Sequence, residues 1–561
     1  MRIVVVGGVG GGMSCAARVR RQMEDAEVIV LEKGPDVSVA TCGLPYFVGG
    51  EIAEESALTV QTPAKLKAWL NLDVRTNHEA IRIDVDRRAV LVRNEAGEEW
   101  LEYDALVLSP GGDAVRLPIP GIDRPEVRTL RSIDDARFLK TAVAAGAKRA
   151  VVIGAGFIGV EAAENLAEAG LDVALVEGAP HILMPFDQEI VHPLRVEMRR
   201  LGVSLHEGVS VAAIHEADAG VIVELGDGTQ IPADVVVSSA GVRANIELAE
   251  SAGIECENGA FTVDQHGRTN IPGIWAIGDA VNSVHAVTGG VRPVQLAGPA
   301  NRGGRLAADD IAASFGGMNE ARPMPQPLAT AIVRVGKLMA AATGANRAML
   351  DGAGIDYRAL HVMANNHVGY FPGAVQMSLV VYVDANGEIL GAQGVGEDGI
   401  DRRIDVIATA MRGGLLVEDL MDLDLCYAPP FGAAKDAVNL LGMIGENVAN
   451  GFLELWYPWQ LEEMRQKALI LDVRTPAEAA EVHIEGALVI PHTQLRERMD
   501  EVREAAQGRF VAIHCRSGMR SYLSHRMLKA AGIPSASLSA GMLGLEAYLG
   551  DSAREVLVYG E

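Results

Sequence analysis

The chain has 561 residues, enough for roughly three or four folding units. Hydrophobic residues make up 49% and charged residues 22%, which excludes a disordered chain and allows buried cores. A formal net charge of −25 argues against nucleic acid and anionic membrane as partners, so an anionic small molecule needs a local basic patch.

The chain opens on Met1-Arg2-Ile3-Val4-Val5-Val6, a strand with no charged-then-apolar leader, and no apolar run reaches the ~18–20 residues of a membrane span. A cytoplasmic protein is expected. Two strand–turn–helix units follow. The first is Ile3–Val6, the turn Gly7-Gly8-Val9-Gly10-Gly11-Gly12, a helical pattern from Met13 to Arg21, and the strand Val28–Glu32. Tyr103–Ser109 predicts a strand running into Pro110-Gly111-Gly112. The second unit is Ala150–Ile153, the turn Gly154-Ala155-Gly156-Phe157-Ile158-Gly159, a helix through Ala169, and the strand Val173–Glu177. A later strand, Gly273–Ile277, ends in Gly278-Asp279-Ala280. From about 325, strands such as Ala329–Val335 and Ser378–Val383, with helices at 401–412 and 433–449, predict an α+β module. The pattern breaks around Gly451–Trp459, and an independent α/β pattern starts near Leu461.

A helix N-terminus with unpaired N–H groups binds pyrophosphate, and glycine lets the phosphate approach the backbone. Gly154, Gly156 and Gly159 match that need, with Glu177 eighteen residues beyond the last glycine to accept ribose hydroxyls. A carboxylate there favours NADH over NADPH, because a 2′-phosphate meets it as a like charge. The first turn aligns Gly7 and Gly12 but has Val9 in the middle position; Glu32 lies twenty residues past Gly12. A lone glycine turn is often only a tight turn, but two such turns, each with strand, helix and acid, favour dinucleotide binding. The carboxylate of Asp279, following Gly278, suits the ribityl hydroxyls of a flavin.

The two glycine turns followed by Thr269-Asn270-Ile271-Pro272-Gly273-Ile274-Trp275-Ala276-Ile277-Gly278-Asp279-Ala280 resemble the two-dinucleotide flavoprotein disulfide reductases. Within them, roughly residues 1–445 are similar to the coenzyme A-disulfide reductases. The resemblance implies FAD at the first turn and NADH at the second.

The five cysteines (15, 42, 256, 426 and 515) form no CxxC pair, so neither a disulfide scaffold nor a metal site is expected. In Ser38-Val39-Ala40-Thr41-Cys42-Gly43-Leu44-Pro45-Tyr46 there is one cysteine where most flavin disulfide reductases carry a close pair. The segment resembles the single-cysteine motif of coenzyme A-disulfide reductases and related NADH oxidases and peroxidases, with Thr41 where the family has Asn. A single thiol rests as a mixed disulfide or sulfenic acid when oxidised. Cys426-Tyr427-Ala428-Pro429-Pro430-Phe431 resembles a family segment whose Tyr reaches the partner subunit's flavin and cysteine, so Tyr427 is expected to protonate a leaving thiolate. Tyr370 is a second candidate, and Cys426 reads as structural. Surface charge is the default reading of Arg18, Arg20, Arg21, Lys65 and Lys67. The resemblance instead makes Arg18, Arg21 and Lys65, with Ser38, candidates for binding coenzyme A.

Residues from about 455 contain Asp472-Val473-Arg474, then His483-Ile484-Glu485-Gly486-Ala487, then His514-Cys515-Arg516-Ser517-Gly518-Met519-Arg520-Ser521, and look like a rhodanese. Cys515 closes a strand and opens a six-residue loop in which backbone N–H groups, Arg516 and Arg520 are expected to hold a thiolate or persulfide. A related loop in dual-specificity phosphatases is one residue longer, which leaves phosphatase activity as a minor reading.

The expected fold is α/β: two Rossmann-like dinucleotide-binding domains, an α+β dimerisation domain and a C-terminal α/β rhodanese domain. The boundaries are 1–112 with 241–322 for FAD, 113–240 for NAD(P)H, 323–446 for dimerisation, 447–458 as linker and 459–561 for the rhodanese. The expected function is NADH-dependent reduction of persulfide, polysulfide or coenzyme A persulfide or disulfide by a homodimer, with coenzyme A as carrier or substrate. An NADH oxidase or peroxidase using a Cys42 sulfenic acid is the alternative, and a non-enzymatic redox sensor or scaffold the third class.

Overall fold

Runs of β-branched residues buried on both sheet faces make parallel strands. In the computed structural model, which describes residues 1–560, two such sheets lie in the unit formed by Met1–Ile182 and Leu201–Ala329. The first orders its strands Ile274–Ala276, Ala105–Leu108, Arg2–Val6, Glu27–Leu31 and Asp73–Arg75, all parallel. Alternate residues feed opposite layers: Val4, Ile29 and Leu106 on one face, Ile3, Val28 and Val107 on the other. The second sheet orders Val203–Glu207, Asp172–Glu177, Arg149–Ile153, Val235–Ser238 and Val127–Arg128. Both glycine turns therefore sit at the carboxyl ends of central strands, where such sheets bind ligands.

The first helix, Gly10–Gln22, begins three residues before the periodic pattern that announces it. Glycines there weaken helix propensity, but they let another helix approach. A Cβ on Gly304, in helix Ala297–Ser314, would lie 2.2 Å from the Gly11 carbonyl oxygen. Tight packing thus outweighs propensity. Cys15 on this helix is fully buried, and burial pushes its thiol up to about 12, so it is inert core.

The second unit comprises Leu183–Arg200 and the chain from Thr330 onwards. An antiparallel sheet orders Ala331–Val335, Leu338–Gly344, Ile389–Gly396, Gln376–Val383 and Arg358–Asn365. Helices Ile400–Gly413 and Ala437–Ala449 cover it; the second starts at a capping box between Asp436 and Asn439, four residues later than its pattern suggests. A further parallel sheet orders Leu455–Trp456, Ser535–Leu538, Phe510–His514, Ala468–Asp472 and Leu488–Val489. The stretch 447–458, expected as a linker, is a correction. It holds the end of the Ala437–Ala449 helix and the edge strand Leu455–Trp456, which pairs with Ser537 and Leu538. Two residues are too short for a periodicity signal, and the buried Trp456, whose indole donates to the Ile513 carbonyl at 3.0 Å, supplies the tertiary reason.

The antiparallel and C-terminal sheets are joined by polar contacts. The Arg347 guanidinium donates to both oxygens of Glu189 at 3.1 and 2.9 Å and lies under Trp459, 4.4 Å from the ring centroid. Ser539 Oγ donates to the Ala359 carbonyl at 3.1 Å and lies 2.8 Å from His361 Nδ1. Among the described residues no helix is long and apolar enough to cross a membrane.

Candidate functional site

The two glycine turns are built alike. Gly7 and Gly154 have φ of +102° and +94°, and a Cβ on either would strike the backbone of the adjacent strand end, at Ser109 and Ser239. A Cβ on Gly12 or Gly159 would lie 2.0 or 1.8 Å from the carbonyl oxygen of Gly7 or Gly154, so the helix packs directly on its turn. Val9 and Gly156 are the two N-caps. Val9 has φ −116°, an ordinary extended value, which is why the first turn tolerates a side chain at this position. Nothing lies within 4 Å of a Cβ placed on Gly156, leaving space for a phosphate.

Each turn is locked by its acid. Glu32 accepts the Gly8 N–H at 2.8 Å and the Gly34 N–H at 2.9 Å; Glu177 accepts the Ala155 N–H at 2.6 Å and the Ala179 N–H at 2.8 Å. Gly278 has φ +78° and starts a short turn carrying Asp279, whose carboxyl burial raises above the usual range ahead of the lowering effect of Arg131. A half-buried carboxylate at a strand end fits a hydroxyl-bearing ligand that desolvates it further and donates to it.

The cysteine segment links the first turn to the helix that follows the second. The Ser38 N–H donates to the Gly8 carbonyl at 2.8 Å, with Ser38 held at φ +54°. The Ala40 N–H donates to the Leu58 carbonyl, and Val39 pairs with Thr59. Cys42 is exposed in the turn Thr41–Gly43, which runs straight into helix Leu44–Gly49. That helix packs against Phe157–Glu168, the helix of the second glycine turn, and the Tyr46 hydroxyl donates to Glu161 Oε1 at 3.2 Å. Cys42 thus lies on a segment whose start touches the first dinucleotide turn and whose end packs on the helix that follows the second.

The basic residues nearby divide by burial. Arg18 pairs with Asp309 at 2.7 Å, and buried Arg20 donates to the carbonyls of Leu70 and Asn71, pinning helix Pro63–Leu70 to the first helix. Arg21, Lys65 and Lys67 are exposed. Trp69, two residues past Lys67 on the same helix, is 77% exposed, and no motif in the sequence singles it out.

In the second unit the structure brings together both candidate tyrosines: the hydroxyls of Tyr370 and Tyr427 lie 3.4 Å apart. Each is exposed, and the contact with Tyr427 raises the Tyr370 phenol above its usual value. Two neighbouring arginines of helix Ile400–Gly413 hold their loops. Buried Arg403 donates to the Asn366 carbonyl at 2.8 Å and to both oxygens of Asp436 at 3.1 and 2.6 Å, and Arg402 donates to the Phe431 carbonyl at 2.8 Å. The Val368 N–H donates to the Gly432 carbonyl at 3.0 Å and ties the loops together. Sequence gave no sign of these arginines. Cys426 is exposed rather than core.

Cys515 follows strand Phe510–His514 and is 1% exposed. Its Sγ accepts the Gly518 N–H at 3.1 Å and lies 3.3 Å from Ser521 Oγ. Arg520 stands in the first turn of helix Met519–Ala530, and Arg516 is exposed beside Cys515. Behind the cysteine, His514 is fully buried, and desolvation lowers its pKa to about 4. Among the described residues no cluster of His, Cys, Asp or Glu is placed to hold a metal.

Residues 1–299 match the pyridine nucleotide-disulphide oxidoreductase family, 330–438 match its dimerisation domain and 458–548 match the rhodanese-like domain. A coenzyme A disulfide reductase of Staphylococcus haemolyticus is 32% identical over 455 residues, 79% of this chain and 98% of that protein. The crystal structure of reduced Bacillus anthracis CoADR-RHD is 37% identical, covers 100% of this chain and 99% of its own, and superimposes with a TM-score of 0.95. A NAD-dependent persulfide reductase from A. fulgidus is 35% identical, with 97% and 100% covered and a TM-score of 0.89. The glycine cradles and carboxylates described above fit the FAD and NAD(P)H this family uses. The chain is an oxidoreductase belonging to the pyridine nucleotide-disulphide oxidoreductase family, with a rhodanese-like domain at its C-terminal end.

Proposed function

We propose that this protein uses NADH to reduce the S–S bond of persulfides, polysulfides or coenzyme A persulfide and disulfide at Cys42. The observation that carries the reading is the exposed, solitary Cys42 on a segment anchored to the first dinucleotide turn and to the helix that follows the second. When bound, the flavin relays the electron pair of NADH to sulfur. Gly7, Gly12, Glu32 and Asp279 would hold it, and Gly154, Gly156, Gly159 and Glu177 would hold the nicotinamide nucleotide.

The Cys42 thiolate attacks one sulfur of the acceptor, displaces the other as thiolate and retains a mixed disulfide or persulfide. Two electrons then release the retained group as thiol or sulfide and restore the thiolate. Tyr427, its hydroxyl beside that of Tyr370, protonates the departing sulfur from the second subunit of a homodimer. Exposed Arg21 and Lys65, with Arg18 and Ser38, face the phosphates of coenzyme A, and Trp69 offers its adenine an aromatic face. Cys515 carries sulfane sulfur, with Arg516 at its mouth, and passes it towards Cys42 on coenzyme A as a mobile carrier.

The test is anaerobic NADH oxidation by the flavin-loaded protein, offered coenzyme A disulfide, polysulfide and a small-molecule persulfide in parallel. Faster turnover on the sulfane-sulfur acceptors with sulfide release supports this reading. Turnover confined to coenzyme A disulfide would reassign the substrate. No turnover on any of the three, with oxygen consumed from NADH alone, would make the protein an oxidase.

A further inference from the structure

The Cys515 site contains two arginines: Arg520, which interacts with the Cys515 thiol and is also held by a carboxylate, and Arg516, which is exposed. Arg520 donates to both oxygens of Glu478, at 2.7 and 2.6 Å, in a pair whose side chains are about one-quarter exposed. Thr475 holds the same carboxylate: its N–H and hydroxyl donate to Oε2 at 3.1 and 2.9 Å, in the capping box of helix Pro476–Glu481. The Arg520 guanidinium keeps the Glu478 carboxyl at about 2, so it is ionised at neutral pH. Arg516 is exposed and engages no carboxylate among the described residues. The net charge of the fixed groups around Cys515 is therefore one positive unit rather than two.

We propose that Glu478 sets the sulfur-donor class of the Cys515 site, selecting persulfides over thiosulfate by neutralising Arg520. This rests on the reading that Cys515 carries sulfane sulfur. With a persulfide, the Cys515 thiolate attacks the outer sulfur of R–S–SH. A new S–S bond forms, the old one breaks, the electron pair leaves on R–S⁻ and the proton stays on the transferred sulfur. With thiosulfate the same attack brings a doubly charged donor to the thiolate and expels sulfite with two negative charges, leaving a persulfide anion on Cys515. Neither step needs a further oxidant or reductant. The more highly charged donor depends more on positive charge at the loop, and Glu478 offsets the charge of Arg520, the arginine that reaches the sulfur. Glu478 is a positioning residue, touching Arg520 and Thr475 and not the reacting sulfur.

The experiment uses the full-length, flavin-loaded protein and follows persulfide formation on Cys515 by mass spectrometry after mixing with thiosulfate or cysteine persulfide. Glu478→Gln removes the charge and keeps a residue suited to the capping box. It is expected to raise the thiosulfate-to-persulfide rate ratio about ten-fold or more, as removal of one nearby like charge predicts. Arg520→Gln leaves Glu478 unpaired and is expected to lower the ratio. A purely structural role would slow both donors together, so an unchanged ratio in both variants overturns the proposal while leaving sulfur transfer at Cys515 intact. If wild-type Cys515 gains sulfur from neither donor, the underlying reading falls as well.

Discussion

Replacing Glu177 by Gln tests the nucleotide site at the residue that closes it. Both carboxylate oxygens are pinned by backbone N–H groups, those of Ala155 and Ala179, so the side chain cannot swing away from a bound ribose. A 2′-phosphate brought to about 4 Å of this carboxylate meets a repulsion of about 1 kcal/mol per unit charge in water and about 4 kcal/mol at an effective dielectric of 20. Glu177 is half-buried. An intermediate figure of about 2–3 kcal/mol corresponds to NADH favoured over NADPH by roughly 30- to 150-fold. Glutamine keeps one acceptor but turns an amide N–H₂ towards the other backbone donor, an opposed pair costing about 1–3 kcal/mol. Glu177→Gln should therefore lower kcat/KM for NADH about ten-fold and cut the NADH:NADPH ratio about ten-fold. The assay is flavin bleaching by each nucleotide in anaerobic stopped flow, at two ionic strengths. A variant with the wild-type ratio would refute the electrostatic account of nucleotide choice.

Three further outcomes follow from the geometry. Tyr427→Phe should slow turnover of the sulfur acceptor by about 10²-fold or more, the range of a lost general acid, and leave flavin reduction by NADH unchanged, as the two half-reactions measured separately will show. Arg403→Met strands Asp436 in the core and frees the Asn366 loop; it should cost about 3–5 kcal/mol in urea unfolding, towards the lower end because Arg402 lies 3.5 Å from the same carboxylate. His514 is buried neutral with a pKa lowered to about 4 against about 6.5 unfolded, so stability is fully present above pH 6.5 and is lost as pH falls from there through 4, by about 3 kcal/mol. His514→Leu should flatten that dependence, read as hydrogen exchange of strand Phe510–His514 in the full chain.

Much of this architecture is legible in the sequence because it is written in short-range patterns. The glycine turns, the acids ending their second strands and the cysteine loops each need particular residues at fixed spacing, and the matched families bear out the fold class. Val9 breaks the usual glycine pattern yet costs nothing, since its backbone is extended; only the φ value reveals that. Long-range devices leave no such trace. Arg402 and Arg403 read as surface charge on an amphipathic helix, although Arg403 is buried and grips the Asn366 loop 37 residues away in sequence. The pairing of Glu478 with Arg520 spans 42 residues and appears only when the Cys515 loop folds over helix Pro476–Glu481. Strand Leu455–Trp456 is too short for periodicity to show.

The most direct test of the central claim, that Cys42 is the thiol through which NADH reduces sulfur, is a two-step anaerobic stopped-flow comparison of wild type with Cys42→Ser. NADH is mixed first, then coenzyme A persulfide, with flavin absorbance followed throughout. The account predicts that both proteins are reduced by NADH at similar rates, and that only wild type is reoxidised by the acceptor with release of sulfide. Reoxidation of Cys42→Ser at the wild-type rate would contradict it, placing the sulfur chemistry elsewhere in the molecule.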